Sequence, residues 1–382
     1  MDLQYSPEQV QLRDIIDRVV REEYDFDTRR DILAAGGFSE THWMTFAELG
    51  WLAVPFAEAD GGLGGNAVDL GLVLQGIGRG LVLEPVLPTL LGGLLIADLG
   101  GPEQKKAWLE RVIAGQLRLA VALSEPGNRS DLGRSRTQAR AEGDGWRLTG
   151  HKSVVPGADR ADMLLVPAAD ATGGLSLFAI PAETAGLSLL SYPTHDGTGA
   201  ADLILDDVAL PGSALIGPAG GALASLERNA DLATTALCAE AAGAMAVLVE
   251  TTLDYLKMRR QFGQPLSTNQ ALQHRMVDMM VALEEARASA LAAALRMEAP
   301  DPAERARAVS LAKLEINRTA RLVGQEAIQL HGAVGMTDEL AASHYFKRLT
   351  AITQSGGTTI WHQDRIARLD AEARQARALA AE

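Results

Sequence analysis

Hydrophobic positions change period twice along this chain. Up to about Ala114 they recur at helical spacing. Ser6-Pro7-Glu8-Gln9 sets a capping serine before a proline at the first helical position and a glutamine at the third, which predicts a helix start. Val10, Ile15, Val19 and Val20 follow roughly on one stripe. Gly101-Pro102-Glu103 predicts another start, with Trp108, Leu109, Val112 and Ile113 as apolar positions and Gly115 as the stop. From Gln116 to about Leu226 the period becomes two. Leu117, Leu119, Val121 and Leu123 alternate with Arg118, Ala120 and Ala122, as in a strand with unequal faces. Gly143-Asp144-Gly145 is a hairpin-type turn into Trp146-Arg147-Leu148. Short runs at Met163–Val166, Leu175–Ile180, Leu187–Leu190 and Leu203–Leu205 complete a small antiparallel β domain, sandwich or barrel.

After Leu226 the helical period returns. Leu232, Ala236, Ala239, Gly243, Ala246, Leu253 and Leu256 form a stripe of mostly small residues, so helix axes can approach closely. A second long helix is expected from about Thr268 to Met297. A third opens at Asp301-Pro302-Ala303-Glu304, read as a capping box. The fold class is α+β, with a helical domain over 1–115, a middle β domain over 116–226 and a helical bundle over 227–382.

Composition narrows the function classes. With 47% hydrophobic and 22% charged residues, the chain reads as a soluble globular protein. Its formal net charge of −14 argues against a nucleic-acid backbone or an anionic membrane surface as partner. The run from Val86 to Ala97 contains Pro88 and two glycines and falls short of the ~20 residues of a membrane span. No signal-like segment opens the sequence, and a cytoplasmic location is expected. Cys238, the one cysteine, excludes an intramolecular disulfide and reads as a packing thiol. His274, His331, His344 and His362 show no metal-ligand spacing, so no metal is assigned.

Three polar clusters stand out. Met258-Arg259-Arg260-Gln261-Phe262-Gly263-Gln264-Pro265-Leu266 reads simply as a helix end with basic residues opposing the macrodipole, but Gln270, Gln273, His274 and Asp278 then follow in order. Gln325-Glu326-Ala327-Ile328-Gln329-Leu330-His331-Gly332-Ala333 reads as a helix C-cap, or as a turn that lets backbone N–H groups approach a pyrophosphate. Leu123-Ser124-Glu125-Pro126-Gly127-Asn128-Arg129-Ser130 ends a strand in a polar turn.

In this order, on an α–β–α chain of this length, the clusters resemble the flavin-dependent acyl-CoA dehydrogenases. Leu52-Ala53-Val54-Pro55, Asp60-Gly61-Gly62-Leu63-Gly64 and Leu205-Asp206-Asp207-Val208 extend the resemblance over nearly the whole chain. It implies a helical N-terminal domain, a middle β domain, a C-terminal four-helix bundle, and FAD extended between subunits. It further implies that Arg259, Gln261, Phe262, Gln270, Gln329, Gly332 and Ala333 meet the pyrophosphate and adenosine half, with Thr358 near that pocket. Leu123, Ser124 and Ser130 fall where the family contacts the flavin ring and the acyl thioester. An acyl-CoA substrate and an electron-transfer-flavoprotein-like acceptor belong to the same implication.

The pattern breaks at the chemistry. The family's α,β-desaturation needs a glutamate base, in most members within a Tyr-Glu-Gly-Thr run. Here Ser355-Gly356-Gly357-Thr358 places Gly356 at that position, and the alternative position on the first bundle helix is Ala233, followed by Thr234 where the family usually has arginine. The flavin-wall motif Lys-x-Trp-Ile-Thr becomes Lys152-Ser153-Val154-Val155-Pro156. These losses resemble the small subunit of heteromeric dehydrogenases of the pimeloyl-CoA type, as do Leu237-Cys238-Ala239-Glu240 and His344-Tyr345-Phe346-Lys347-Arg348. A homologous partner would then supply the glutamate. Two alternatives stay open: a self-sufficient enzyme using Asp231 or Glu240 as a displaced base, and a flavin-free interaction protein. As ordinary residues, Asp231 reads as a solvated or capping acid and Glu240 as a paired helix acid.

Overall fold

The computed structural model describes residues 5–127, 131–171 and 173–379. The helical N-terminal region comprises α1 (Pro7–Glu23), α2 (Phe26–Ala34), α3 (Glu40–Glu48), α4 (Ala67–Gly80), α5 (Val86–Leu99) and α6 (Pro102–Ile113). Ser6 caps α1 as its sequence predicts. Its hydroxyl accepts the Gln9 N–H at 3.2 Å, and the Gln9 side chain accepts the Ser6 N–H at 3.0 Å.

The middle of the chain forms one sheet from β1 (Leu119–Val121), β2 (Gln138–Glu142), β3 (Gly145–Pro156), β4 (Met163–Ala169), β5 (Leu175–Pro181), β6 (Leu187–Pro193), β7 (Gly199–Pro211) and β8 (Leu215–Ile216). The order is β6-β7-β3-β2-β4-β5-β8, with β1 paired to β4. Most pairs are antiparallel, and the Gly143-Asp144 turn joins β2 to β3 as expected. The sheet is nevertheless mixed, because β1 and β2 each pair with β4 in parallel. The short β1 is also buried at every position and lacks the unequal faces its alternation suggests. Arg118 escapes burial just ahead of it by pairing with Asp162.

The C-terminal region consists of α7 (Leu223–Met258), α8 (Gln270–Arg296), α9 (Pro302–His331), α10 (Ala341–Gln354) and α11 (Thr359–Leu379). Asp301 caps α9 through the Ala303 N–H at 2.9 Å. Glu304 turns instead to Arg296 at 3.1 Å, so the expected box is a one-sided cap. Among the described residues α7 is the helix long and apolar enough to cross a membrane. Of that apolar window 83% is buried inside the protein, so its composition suits a core helix. Its small residues do the predicted work: a Cβ on Gly243 would lie 2.0 Å from the Gln75 carbonyl oxygen of α4, and one on Gly78 2.0 Å from that of Glu240.

The chain divides into two compact units. One holds the segment up to Arg30, Ala67–Val82, and everything from Asp231 onward; the other holds Asp31–Asn66 and Leu83–Ala230. The N-terminal helices are thus shared out, α1, α2 as far as Arg30 and the whole of α4 going with the bundle. The bundle core is built from Met245, Leu248, Met279, Ala286, Ile316 and Val323, among others. The β core includes Leu148, Leu164, Val166, Phe178, Leu203 and Val208.

Candidate active site

In the bundle unit, the candidate residues fall at two separate places. At the first, α7 ends in a tight hairpin pairing Arg260–Gln261 with Gln264–Pro265. Phe262 and Gly263 form its turn at φ 53° and 81°, the left-handed pair that a two-residue hairpin requires. The Phe262 side chain is 96% exposed. Arg259, Gln261 and Gln270 are exposed beside it. Tyr255, one turn before Arg259, stacks on His331 with centroids 4.5 Å apart and donates to the His331 carbonyl at 3.2 Å. This draws the end of α9, with Gln329, Gly332 and Ala333, to the same end of the bundle. Gly332 has φ 66°, and a Cβ there would meet nothing within 4 Å. An exposed guanidinium beside an open glycine turn suits an anionic group approaching the backbone.

The second place is the turn between α10 and α11. Asn317 Nδ2 donates to Thr359 Oγ1 at 3.4 Å, which fixes this turn alongside the middle of α9. Gly332 lies fifteen residues further along that helix, about 22 Å away at 1.5 Å per residue. Thr358, next to Thr359 in this turn, therefore lies away from the Gly332 end of α9.

Gly356 adopts φ 65°, and a Cβ on it would lie 3.0 Å from Thr234 Oγ1 and 3.3 Å from Leu237 Cδ1. Its carbonyl accepts the Thr234 hydroxyl at 3.3 Å and His362 Nε2 at 2.9 Å. Because a carbonyl only accepts, His362 carries its proton on Nε2. Nδ1 is left buried with no partner among the described residues. Burial pushes the His362 pKa down to about 4. Ala233, the second family position for a base, directly precedes Thr234 on α7.

The two acids proposed as displaced bases are buried and taken. Asp231 accepts Arg305 Nε at 3.0 Å and Arg365 Nη1 at 2.6 Å. Glu240 accepts a two-pronged contact from Arg348, at 2.5 Å from Nε and 2.8 Å from Nη2. The structure thus corrects the solvated or capping reading of Asp231, which is 2% exposed. It also accounts for the His344–Arg348 run. His344 accepts Arg29 Nη1 at 2.9 Å and donates to the Asp338 carbonyl at 3.0 Å, Tyr345 donates to the Arg79 carbonyl, and Lys347 pairs with Asp338. Sequence reasoning missed these partners, which lie up to 315 positions away. Cys238 is buried, and burial raises its thiol to about 12, as suits an inert packing residue.

In the β unit, Ser124 is exposed and Leu123 half-buried after β1. Ser130 lies outside the described residues. Lys152 and Glu125, each 1% exposed at the side chain, pair at 2.6 Å beneath this turn. The Ser153 N–H donates to the Ser124 carbonyl at 2.9 Å. Val154 follows in a strained left-handed conformation with its side chain exposed.

Three family descriptions match consecutive stretches: the acyl-CoA dehydrogenase N-terminal domain over residues 6–116, its middle domain over 120–208, and its C-terminal domain over 223–369. Human mitochondrial short-chain specific acyl-CoA dehydrogenase is 31% identical over 316 residues, covering 80% of this chain and 76% of the human protein. The chain belongs to the acyl-CoA dehydrogenase family. Solved relatives agree in fold. A variant of the Tcur3481–Tcur3483 steroid ACAD is 32% identical with a TM-score of 0.88, covering 96% of this chain and 99% of that one. PigA with FAD and proline is 26% identical with a TM-score of 0.89, covering 96% and 98%. Acyl-CoA dehydrogenases are oxidoreductases, and the fold is theirs: helical N-terminal, middle β and helical C-terminal regions.

Proposed function

We propose that this chain is an FAD-binding subunit of an acyl-CoA dehydrogenase that brings no proton acceptor of its own and works with a homologous partner. The observation that carries this reading is the contact between Thr234 and Gly356. Gly356 stands at one position where the family keeps its base, Ala233, next to Thr234 on α7, stands at the other, and neither is a carboxylate. To act as a displaced base, Asp231 would have to break two buried ion pairs and Glu240 a two-pronged one.

FAD, when bound, supplies the hydride acceptor for α,β-desaturation of an acyl-CoA thioester. This chain's part is to bind and orient. Arg259 faces the pyrophosphate, Gly332 and Ala333 offer backbone N–H groups, and Gln261, Phe262, Gln270 and Gln329 flank the adenosine half. Leu123 and Ser124 stand at the ring and the thioester. The separation of the Thr358 turn from the Gly332 end of α9, about 22 Å of helix beyond Asn317, favours a cofactor held across two chains. Phe262 supports this, as do Val277, Met280 and Val281, spaced to share one face of α8 and each at least 50% exposed. The Tcur3481–Tcur3483 steroid ACAD, named for two polypeptides, supports reading this chain as one half of a heteromer. An electron-transfer-flavoprotein-like acceptor would reoxidise the assembly.

The test is to tag this chain in its native host, identify the chain that co-purifies, count flavin per chain, and assay acyl-CoA oxidation with an artificial acceptor. The expected outcome is turnover by the heteromer and little or none by this chain alone. Robust turnover by a pure homo-oligomer would reject the proposal.

A further inference from the structure

His344 takes its ring partners from two other segments, and together they leave it one protonation state. Arg29 Nη1 lies 2.9 Å from Nδ1, and the Asp338 carbonyl 3.0 Å from Nε2. A guanidinium only donates and a carbonyl only accepts, so Nδ1 keeps its lone pair and Nε2 its proton. Arg29 is itself fixed. It is 1% exposed, and its Nε donates to the Leu81 carbonyl at 2.8 Å. A second proton on His344 would set N–H against N–H and an imidazolium against a buried guanidinium. The groups facing the ring come from three elements. α2 contributes Arg29, with Phe26 in a T-shaped contact at 5.0 Å between centroids. α10 contributes Lys347, and the segment 332–340 contributes the Asp338 carboxylate. Burial, with the charges of Arg29 and Lys347, holds the ring below the ordinary histidine range against the pull of Asp338.

The segment 332–340, between α9 and α10, is what His344 holds. Within it only Gly335 is buried, and Leu340 packs partly against the bundle core. Asp338 is tethered twice, its carbonyl accepting from His344 and its carboxylate from Lys347 at 2.5 Å. A stretch with so little apolar burial opens locally at small cost once its polar bonds are lost. Gly332 and Ala333 stand at its start.

We propose that neutral His344 is a positioning residue that latches this segment to α2 and α10, and that acid opens the latch and speeds release of the dinucleotide. The proposal rests on the FAD-binding reading above and goes beyond it by giving that site a gate. Because the native ring titrates below its ordinary 6.5, the open form binds more protons as pH falls under that value. The latch is therefore fully closed above it, and its opening constant grows by up to about tenfold per pH unit below it.

Hydrogen exchange of the purified native assembly, stripped of flavin, tests the latch at pH 7.5 and 5.5. After correction for intrinsic rates, protection over 333–345 should fall about tenfold relative to peptides from the second half of α8. His344→Gln offers an acceptor and a donor but does not titrate in this range, so its protection should stay level. In the flavin-loaded assembly, the rate of FAD release, followed by flavin fluorescence on dilution, should rise about tenfold between the same pH values in wild type and stay level in His344→Gln. Level protection in wild type, or an equal fall in His344→Gln, overturns the latch. A latch that opens while FAD release stays level overturns its role as a gate. A wild-type assembly that takes up no flavin overturns the FAD-binding reading, and exchange of the flavin-free form still decides the latch.

Discussion

Each unit of the molecule buries a lysine, and the two are held differently. Lys152, in the β unit, has a carboxylate partner. Glu125 accepts its ammonium at 2.6 Å and takes four further bonds, from the Ser135 hydroxyl, the Arg136 N–H, and the N–H and hydroxyl of Thr137. Burial by itself would raise the Glu125 carboxyl, but Lys152 and these donors outweigh it and hold it at about 2. Lys313, in the bundle, reaches only dipoles among the described residues: Asn317 Oδ1 at 2.8 Å and the Ile352 carbonyl at 2.6 Å. Burial lowers its pKa to about 8. Ile352 lies in the last turn of α10, whose free carbonyls carry partial negative charge. Lys313 thus caps that helix just before the Gly356 turn. A charge held by a counter-charge and a charge held by helix carbonyls answer to opposite ends of the pH scale.

The largest way to break this comparison is Lys152→Met. It leaves Glu125 as a buried carboxylate facing only neutral donors, and should cost about 3–5 kcal/mol of unfolding free energy in urea denaturation. A loss below about 1 kcal/mol would mean that the neutral donors suffice.

Next comes the alkaline limb. The folded pKa of Lys313, about 8, lies below its ordinary 10.5. The unfolded chain therefore binds more protons between those values, and stability rises with pH across that window by about 3 kcal/mol. Denaturation of wild type and Lys313→Met at pH 8 and at pH 10 should show the climb in wild type and lack that increment in the variant; equal climbs would contradict the assignment. Glu125 acts at the other end, contributing stability above pH 4.5 that is lost as pH falls toward 2.

The smallest expected effect is Ser135→Ala. It removes one of the five bonds to Glu125 and should cost about 1 kcal/mol, measured as a shift in the urea midpoint. A loss as large as that of Lys152→Met would show that the hydrogen-bond set, rather than the counter-charge, holds the carboxylate.

Much of the fold was legible in residue order. The caps at Ser6 and Asp301, the Gly143-Asp144 hairpin and the long helices of the bundle depend on neighbours a few positions apart. The parallel pairings of β1 and β2 with β4 did not show, because register between distant strands leaves no local mark. Of the candidate site, the hairpin at Phe262 and the glycine at 332 were legible from turn chemistry. The fates of Asp231 and Glu240 were not. Each is an acid on a helix, and only the fold brings Arg305, Arg365 and Arg348 against them.

By itself, the sequence determined which chemistry is absent at particular positions: a glycine at 356 and an alanine at 233 carry no carboxylate in any fold. It also determined the elements, since hydrophobic period and caps act within a few residues. Tertiary structure decided which remaining acids are usable, which lysine has a counter-charge, and that Thr358 and Gly332 lie at different places along α9. Those outcomes depend on burial and on partners from distant segments, and electrostatic energy follows distance in space rather than along the chain.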